Sequence, residues 1–134
     1  MAKIMIVDDA AFMRSLLKQI VAGAGHEVIC EAENGREAID KFVYYKPDLV
    51  TMDVTMPGMP GVEAVKEIRK RDPHARIVMC SAFSDRHLVV DAIRTGALDF
   101  IVKPFQEYRV LDAIENIMLH WQTGPLASPV PGMR

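Results

Sequence analysis

The hydrophobic period of this chain changes repeatedly along its length, and that alternation restricts its fold more than any other feature. Short runs rich in Val, Ile and Met, at residues 3–7, 28–32, 49–52, 76–80 and 100–102, are separated by longer segments whose apolar residues recur every three or four positions. Most of the short runs lack polar alternation, as strands buried on both faces do. Between them, Met13, Leu16, Leu17, Ile20 and Val21 form a helical stripe that Gly23 and Gly25 stop. Asn34 followed by Glu37 resembles a capping box ahead of Ala38, Ile39 and Phe42, and Pro47 closes that segment. Val62, Val65 and Ile68 form a third stripe, ended by Asp72 and Pro73. Ser84 can cap a fourth, with Leu88, Val89, Ala92 and Ile93 before Gly96. The fifth runs from about residue 105 to 121 and carries Val110, Leu111, Ile114, Ile117, Met118 and Trp121 on one side.

Five strands alternating with five helices, joined by right-handed crossovers, give a single doubly wound (βα)5 α/β sandwich. The expected five-stranded parallel sheet has the flavodoxin-like order 2-1-3-4-5. The 134 residues suffice for one such domain, set at 1–121. Residues 122–134 hold three prolines and two glycines with almost no charge, and are expected to form a flexible tail.

Charge and composition narrow the function. Sixteen Lys plus Arg oppose 18 Asp plus Glu, and no long basic run offers a ladder of phosphate contacts, which argues against nucleic acid as a partner. The apolar runs fall far short of the roughly 20 residues that span a bilayer. Two carboxylates arrive before the amino terminus could build a signal-peptide core, so a cytoplasmic chain without membrane association is expected. Cys30 and Cys80 lie in separate apolar segments without Cys-x-x-Cys spacing and read as buried core thiols. Met5, Met52 and Met79 read as core, and the Tyr44–Tyr45 pair as half-buried packing at the close of the second helix. His26, His74, His87 and His120 lack ligand spacing and read as surface or capping residues.

In a parallel α/β sheet, residues just past the strand ends gather along one edge, where such folds bind ligands. That edge collects Asp8 and Asp9, Asp53, Ser81, and Lys103 with Pro104. Each has an ordinary explanation alone: an Asp past a strand forms turns or caps helices, and Lys-Pro is a common loop. Together they are harder to set aside. Carboxylates this close repel one another unless a cation occupies the site, and oxygen-only ligands without His or Cys suit Mg²⁺. Such an ion shares its shell with phosphate, and a carboxylate can attack phosphorus to form an acyl phosphate, with Mg²⁺, Lys103 and Ser81 neutralising the phosphoryl oxygens.

The strand-end set Ile-Val-Asp8-Asp9, Met-Asp53-Val-Thr-Met-Pro57, Ser81-Ala82 and Phe100-Ile-Val-Lys103-Pro104-Phe105 resembles the receiver domain of two-component response regulators. The resemblance spans residues 1 to about 121 and is strongest to stand-alone chemotaxis regulators of the CheY type, with Asp-Asp-Ala-Ala-Phe-Met-Arg14 and Cys80-Ser-Ala similar to the Gram-positive-like branch. It implies that Asp53 accepts a phosphoryl group from a histidine kinase, and that Asp8, Asp9, Asp53 and the Thr55 carbonyl hold Mg²⁺. It further implies that Lys103 pairs with the phosphoryl oxygens, that a cis peptide precedes Pro104, and that Ser81 moves to the phosphoryl group while the Phe100 ring turns inward. The expected output is changed binding to a flagellar motor switch protein, with a phosphatase as a further partner. The chain would then be a monomeric signalling switch that assists its own phosphotransfer and dephosphorylation, not a metabolic enzyme. Arg86, Val89 and Val102 are the expected output contacts.

Pro60 stands where the family often has Asp, and is expected to stiffen the start of the third helix. Phe100 lacks the hydroxyl of the tyrosine common there, and Phe83 is a bulky apolar residue two positions after Ser81. Two rivals remain. A phosphatase of the haloacid-dehalogenase kind also uses an aspartyl phosphate but wants Asp-x-Asp where this chain has Asp53-Val54-Thr55. A flavodoxin-like cofactor binder would need a phosphate-cradling loop after the first strand, where acids would repel phosphate.

Overall fold

The computed structural model describes residues 1–82 and 86–120. Five parallel strands, β1 (Lys3–Val7), β2 (Glu27–Ala32), β3 (Leu49–Asp53), β4 (Ile77–Ser81) and β5 (Asp99–Val102), form one sheet in the order β2-β1-β3-β4-β5. The helices are α1 (Ala11–Gly23), α2 (Gly35–Tyr45), α3 (Gly61–Arg71), α4 (Arg86–Arg94) and α5 (Glu107–His120). This is the doubly wound arrangement expected from the alternation of periods.

The uninterrupted apolar runs are explained by the two cores, because successive residues of a strand point to opposite faces. Ile4 and Ile6 of β1 pack with Leu17, Val21, Val110, Ile114 and Ile117, which places α1 and α5 on one face. Met5 and Val7 pack with Ala38, Ile39, Ala64, Val65, Ile68 and Ala92 on the other, under α2, α3 and α4. Burying a side chain of this size contributes about 1.5–3 kcal/mol. Exposed ion pairs such as Lys70–Glu67 are screened by water and add little. The two cores therefore hold the sheet edge in place, and surface charge does not.

Helix boundaries follow local chemistry. The Asn34 side chain accepts the Glu37 N–H at 2.8 Å, and Glu37 reaches back to the Glu33 N–H at 3.2 Å, a capping box displaced by one residue. Lys46, in the left-handed region at φ 51°, closes α2 and donates its N–H to the Phe42 carbonyl. Gly25 and Gly96, both at positive φ, follow α1 and α4, where a side chain would be strained.

The structure corrects several expectations. β2 and β5 begin one residue earlier than the apolar runs suggest, β4 is shifted by one residue to Ile77–Ser81, and β3 extends through Asp53. Phe105 belongs to the loop, because α5 starts only at Glu107. Only Tyr45, at 45% exposed, is half-buried: Tyr44 is 78% exposed, and the two rings meet edge to face at 4.8 Å at the last turn of α2. Cys80 is buried, but Cys30 on the edge strand β2 is only partly so. Ile93 is exposed, and Ala92 is the buried residue of α4. Met5, Met52 and Met79 are fully buried, as expected. Phe83, the Ser84 cap, Trp121 and residues 122–134 lie outside the described residues. No described helix is long and apolar enough to cross a membrane.

Candidate functional site

Backbone pairing continues just past the strands and fixes where their last residues stand. The Asp8 N–H donates to the Ala32 carbonyl at 3.0 Å, Val54 N–H to Cys80 at 2.9 Å, and Lys103 N–H to Ser81 at 2.7 Å. Asp53 pairs in register with Cys80, and Ser81 with Val102. Asp8, Asp53, Ser81 and Lys103 are thus held at neighbouring ends of four strands. The Lys103–Pro104 peptide bond is cis.

Asp8 and Asp53 are buried and Asp9 is exposed, with carboxylate oxygens of all three within 4.8 Å of one another. Lys103 Nζ lies 2.7 Å from Asp8 Oδ2 and 3.4 Å from Asp53 Oδ1. Burial pushes the Asp53 carboxyl up to about 6; the Lys103 charge opposes the rise and the Asp8 charge adds to it, while the Thr55 N–H donates to the carboxylate and favours its ionised form. Burial works against the Lys103 charge too, but the Asp8 hydrogen bond and the Asp53 carboxylate outweigh it and raise its pKa. Three carboxylates face one ammonium, so the cluster keeps negative charge that a divalent cation would neutralise. All side-chain donors are hard oxygens, which suits Mg²⁺ better than a softer metal. A groove of about 570 Å³ lined by Asp9, Glu33, Asn34, Arg36 and residues 57–59 borders the cluster on the Asp9 side.

Ser81 is buried at the end of β4. Phe100 is 9% exposed and packs into the core under α2, α3 and α4. Thr55 sits exposed two residues past Asp53. Pro60 precedes α3 as its N-cap without a side-chain cap bond. The histidines do not join the site: His26 Nδ1 accepts the Ala2 N–H at 3.0 Å, and His74 and His87 are exposed on other elements.

Three features escaped the sequence reading. Arg14 Nη1 donates to the Asp8 carbonyl at 2.7 Å. A Cβ on Gly61 would stand 2.1 Å from the Asp53 carbonyl oxygen, so only glycine lets α3 start this close to the acid. Arg109 grips Asp99 through two hydrogen bonds of 3.0 and 2.8 Å and the Phe100 carbonyl through a third of 3.1 Å. The Arg14 position was visible in Asp-Asp-Ala-Ala-Phe-Met-Arg; nothing local signalled the other two.

Residues 4–115 match the response regulator receiver domain. The chain belongs to that family. Among curated relatives of this receiver domain, the chemotaxis protein CheY of Thermotoga maritima is 56% identical over 115 residues, covering 86% of this chain and 96% of that protein. CheY of Bacillus subtilis is 56% identical over 116 residues, covering 87% and 97%. Among solved structures, the CheX–CheY–BeF3–Mg complex of Borrelia burgdorferi superposes with a TM-score of 0.83 at 37% identity, covering 87% of this chain and 88% of that one. The receiver fold and the 2-1-3-4-5 strand order thus have CheY-like counterparts of nearly the same length.

Proposed function

We propose that this chain is a phosphorylation-activated chemotaxis response regulator that accepts a phosphoryl group on Asp53 and thereby changes its affinity for a flagellar motor partner. The observation that carries the reading is the placement of the Lys103 ammonium on both Asp8 and Asp53 at a buried sheet edge. The 56% identity to CheY proteins directs it to chemotaxis.

Asp53 acts as the nucleophile in its ionised form. Its carboxylate oxygen bonds to the phosphorus of a phosphohistidine on the kinase while the phosphorus–nitrogen bond breaks; the electron pair stays on the imidazole nitrogen, which takes a proton from solvent. Asp8, Asp9, Asp53 and the Thr55 carbonyl would hold Mg²⁺, which when bound supplies positive charge against the phosphoryl oxygens. Lys103 supplies a second positive charge from just past the end of β5 on the same sheet edge. Its hydrogen bond to Asp8 keeps the ammonium in the site before the phosphoryl group arrives. Ser81, on β4 beside β3, donates its hydroxyl to the new dianion, and that movement leaves room for the Phe100 ring to turn inward. Phe100 lies on β5 at the start of the α4–β5–α5 surface, so its packing carries the change outward.

In this reading a chemotaxis histidine kinase and a phosphatase are the partners, and the receiver at 1–121 acts as a monomer in the cytoplasm. The haloacid-dehalogenase alternative finds no support, since Thr55 replaces the second Asp of its motif. The test is binding of a motor-switch peptide with and without beryllofluoride as a phosphoryl mimic. A several-fold gain in affinity with the mimic is expected; equal affinity would overturn the switch reading.

A further inference from the structure

We propose that Arg14 is a positioning residue for the acidic loop, holding the Asp8 main chain against the end of β2 so that the Asp8 and Asp9 carboxylates meet a cation in fixed geometry. The inference rests on the Mg²⁺ reading above. α1 starts without a conventional cap, since Ala10 at its N-cap offers no side-chain hydrogen bond. The loop before it is instead fixed through Asp8, all of whose polar atoms are engaged. Its N–H donates to Ala32, its carbonyl accepts from Arg14 at 2.7 Å, Oδ1 accepts from Ala10 N–H at 2.9 Å, and Oδ2 accepts from Lys103 at 2.7 Å. The Arg14 guanidinium is itself held, because Nε donates to Glu31 Oε1 at 3.1 Å and Lys18 lies 3.6 Å from the other Glu31 oxygen. Both backbone groups of Asp8 are therefore referenced to β2, one directly and one through the Arg14–Glu31 pair.

The guanidinium fork spans two acceptors at once, which a lysine ammonium on a flexible stem does less well. A pure charge effect and a positioning effect differ in sign. As a cation near a cation site, Arg14 would oppose Mg²⁺, and its removal would tighten binding. As a positioning residue, its removal frees the Asp8 carbonyl and lets the loop relax, so binding weakens. Loss of an orienting partner of this kind typically costs 10- to 100-fold in metal affinity.

The test is calorimetric titration of the full chain with MgCl2, with the melting temperature followed in parallel. Arg14→Met is expected to weaken Mg²⁺ binding about tenfold, and Arg14→Lys, which keeps the charge, to leave most of that loss in place. Glu31→Ala, remote from the acids and partly exposed, is expected to weaken it less, with no further loss when combined with Arg14→Met. Glu31→Ala carries the test should Arg14→Met fail to fold. Unchanged or tighter binding in the variants, whatever the melting temperature does, or full recovery by Arg14→Lys, would overturn the inference alone. Absence of Mg²⁺ binding by the unsubstituted chain would overturn the metal reading and the inference with it.

Discussion

Asp53 must be buried enough to be held in one place and ionised enough to attack phosphorus, and its pKa of about 6 records that conflict. Below this value a proton competes with any cation for the carboxylate, so Mg²⁺ affinity is expected to be about tenfold weaker at pH 5 than at pH 7.5. Titration at the two pH values checks this, and equal affinities would contradict a metal held by ionised Asp53. The same shift has a stability consequence. Folded Asp53 keeps its proton up to about pH 6, whereas in the unfolded chain it is lost near 3.8. Between these values the folded state binds more protons, so this group's contribution to stability falls as pH rises through the window and is level above it. Asn resembles the protonated carboxyl. In metal-free buffer Asp53→Asn is therefore expected to stabilise the chain by about 1–3 kcal/mol at pH 7.5, with the gain vanishing near pH 4. Urea denaturation at both pH values measures it, and destabilisation at pH 7.5 would mean that Lys103 outweighs burial.

At the scale of elements, the start of α3 and the α4–β5–α5 surface decide how the site is framed and read out. The Gly61 N–H donates to the Val54 carbonyl at 2.9 Å, which draws the helix start against the end of β3. Gly61→Ala forces a methyl into the Asp53 carbonyl, and overpacking of this kind is expected to cost about 2–3 kcal/mol in chemical denaturation. A loss below about 0.5 kcal/mol, the level of an ordinary surface substitution, would show that the loop yields freely. On the readout side, Val89 is partly buried against the core, so it is a poor surface contact and a charge there would disturb the fold. Arg86, Val90 and Ile93 of α4 are exposed, as is Val102 of β5 at 43%. Val102→Asp is expected to abolish the gain in motor-peptide binding caused by beryllofluoride while leaving phosphorylation intact. A retained gain would place the output surface elsewhere.

For the whole molecule, the fold and the acidic edge were legible for a shared reason. Residues such as Ile4 and Met5 alternate between two apolar cores, so the strands read as continuous hydrophobic runs, and whatever follows such a run must lie on the ligand-binding edge. Asp8, Asp53 and Lys103 were found that way. Features that depend on how separate elements meet were not legible. Whether Tyr44 packs or projects depends on how far α2 extends past the sheet, and the need for glycine at position 61 exists only because two segments converge there. Arg14 reads as an ordinary helical cation until the path of the preceding loop brings the Asp8 carbonyl within its reach.

In the reading proposed above, β1, β3 and β5 together make Asp53, and no other carboxylate, the phosphoryl acceptor. Incubation of the full chain with acetyl phosphate and Mg²⁺, read by intact-mass spectrometry, tests it most directly. One phosphoryl group is expected on the parent chain, none without Mg²⁺, and none on Asp53→Asn. Full labelling of Asp53→Asn would put the phosphoryl group on another residue, and an unlabelled parent would mean that Asp53 is not an acceptor.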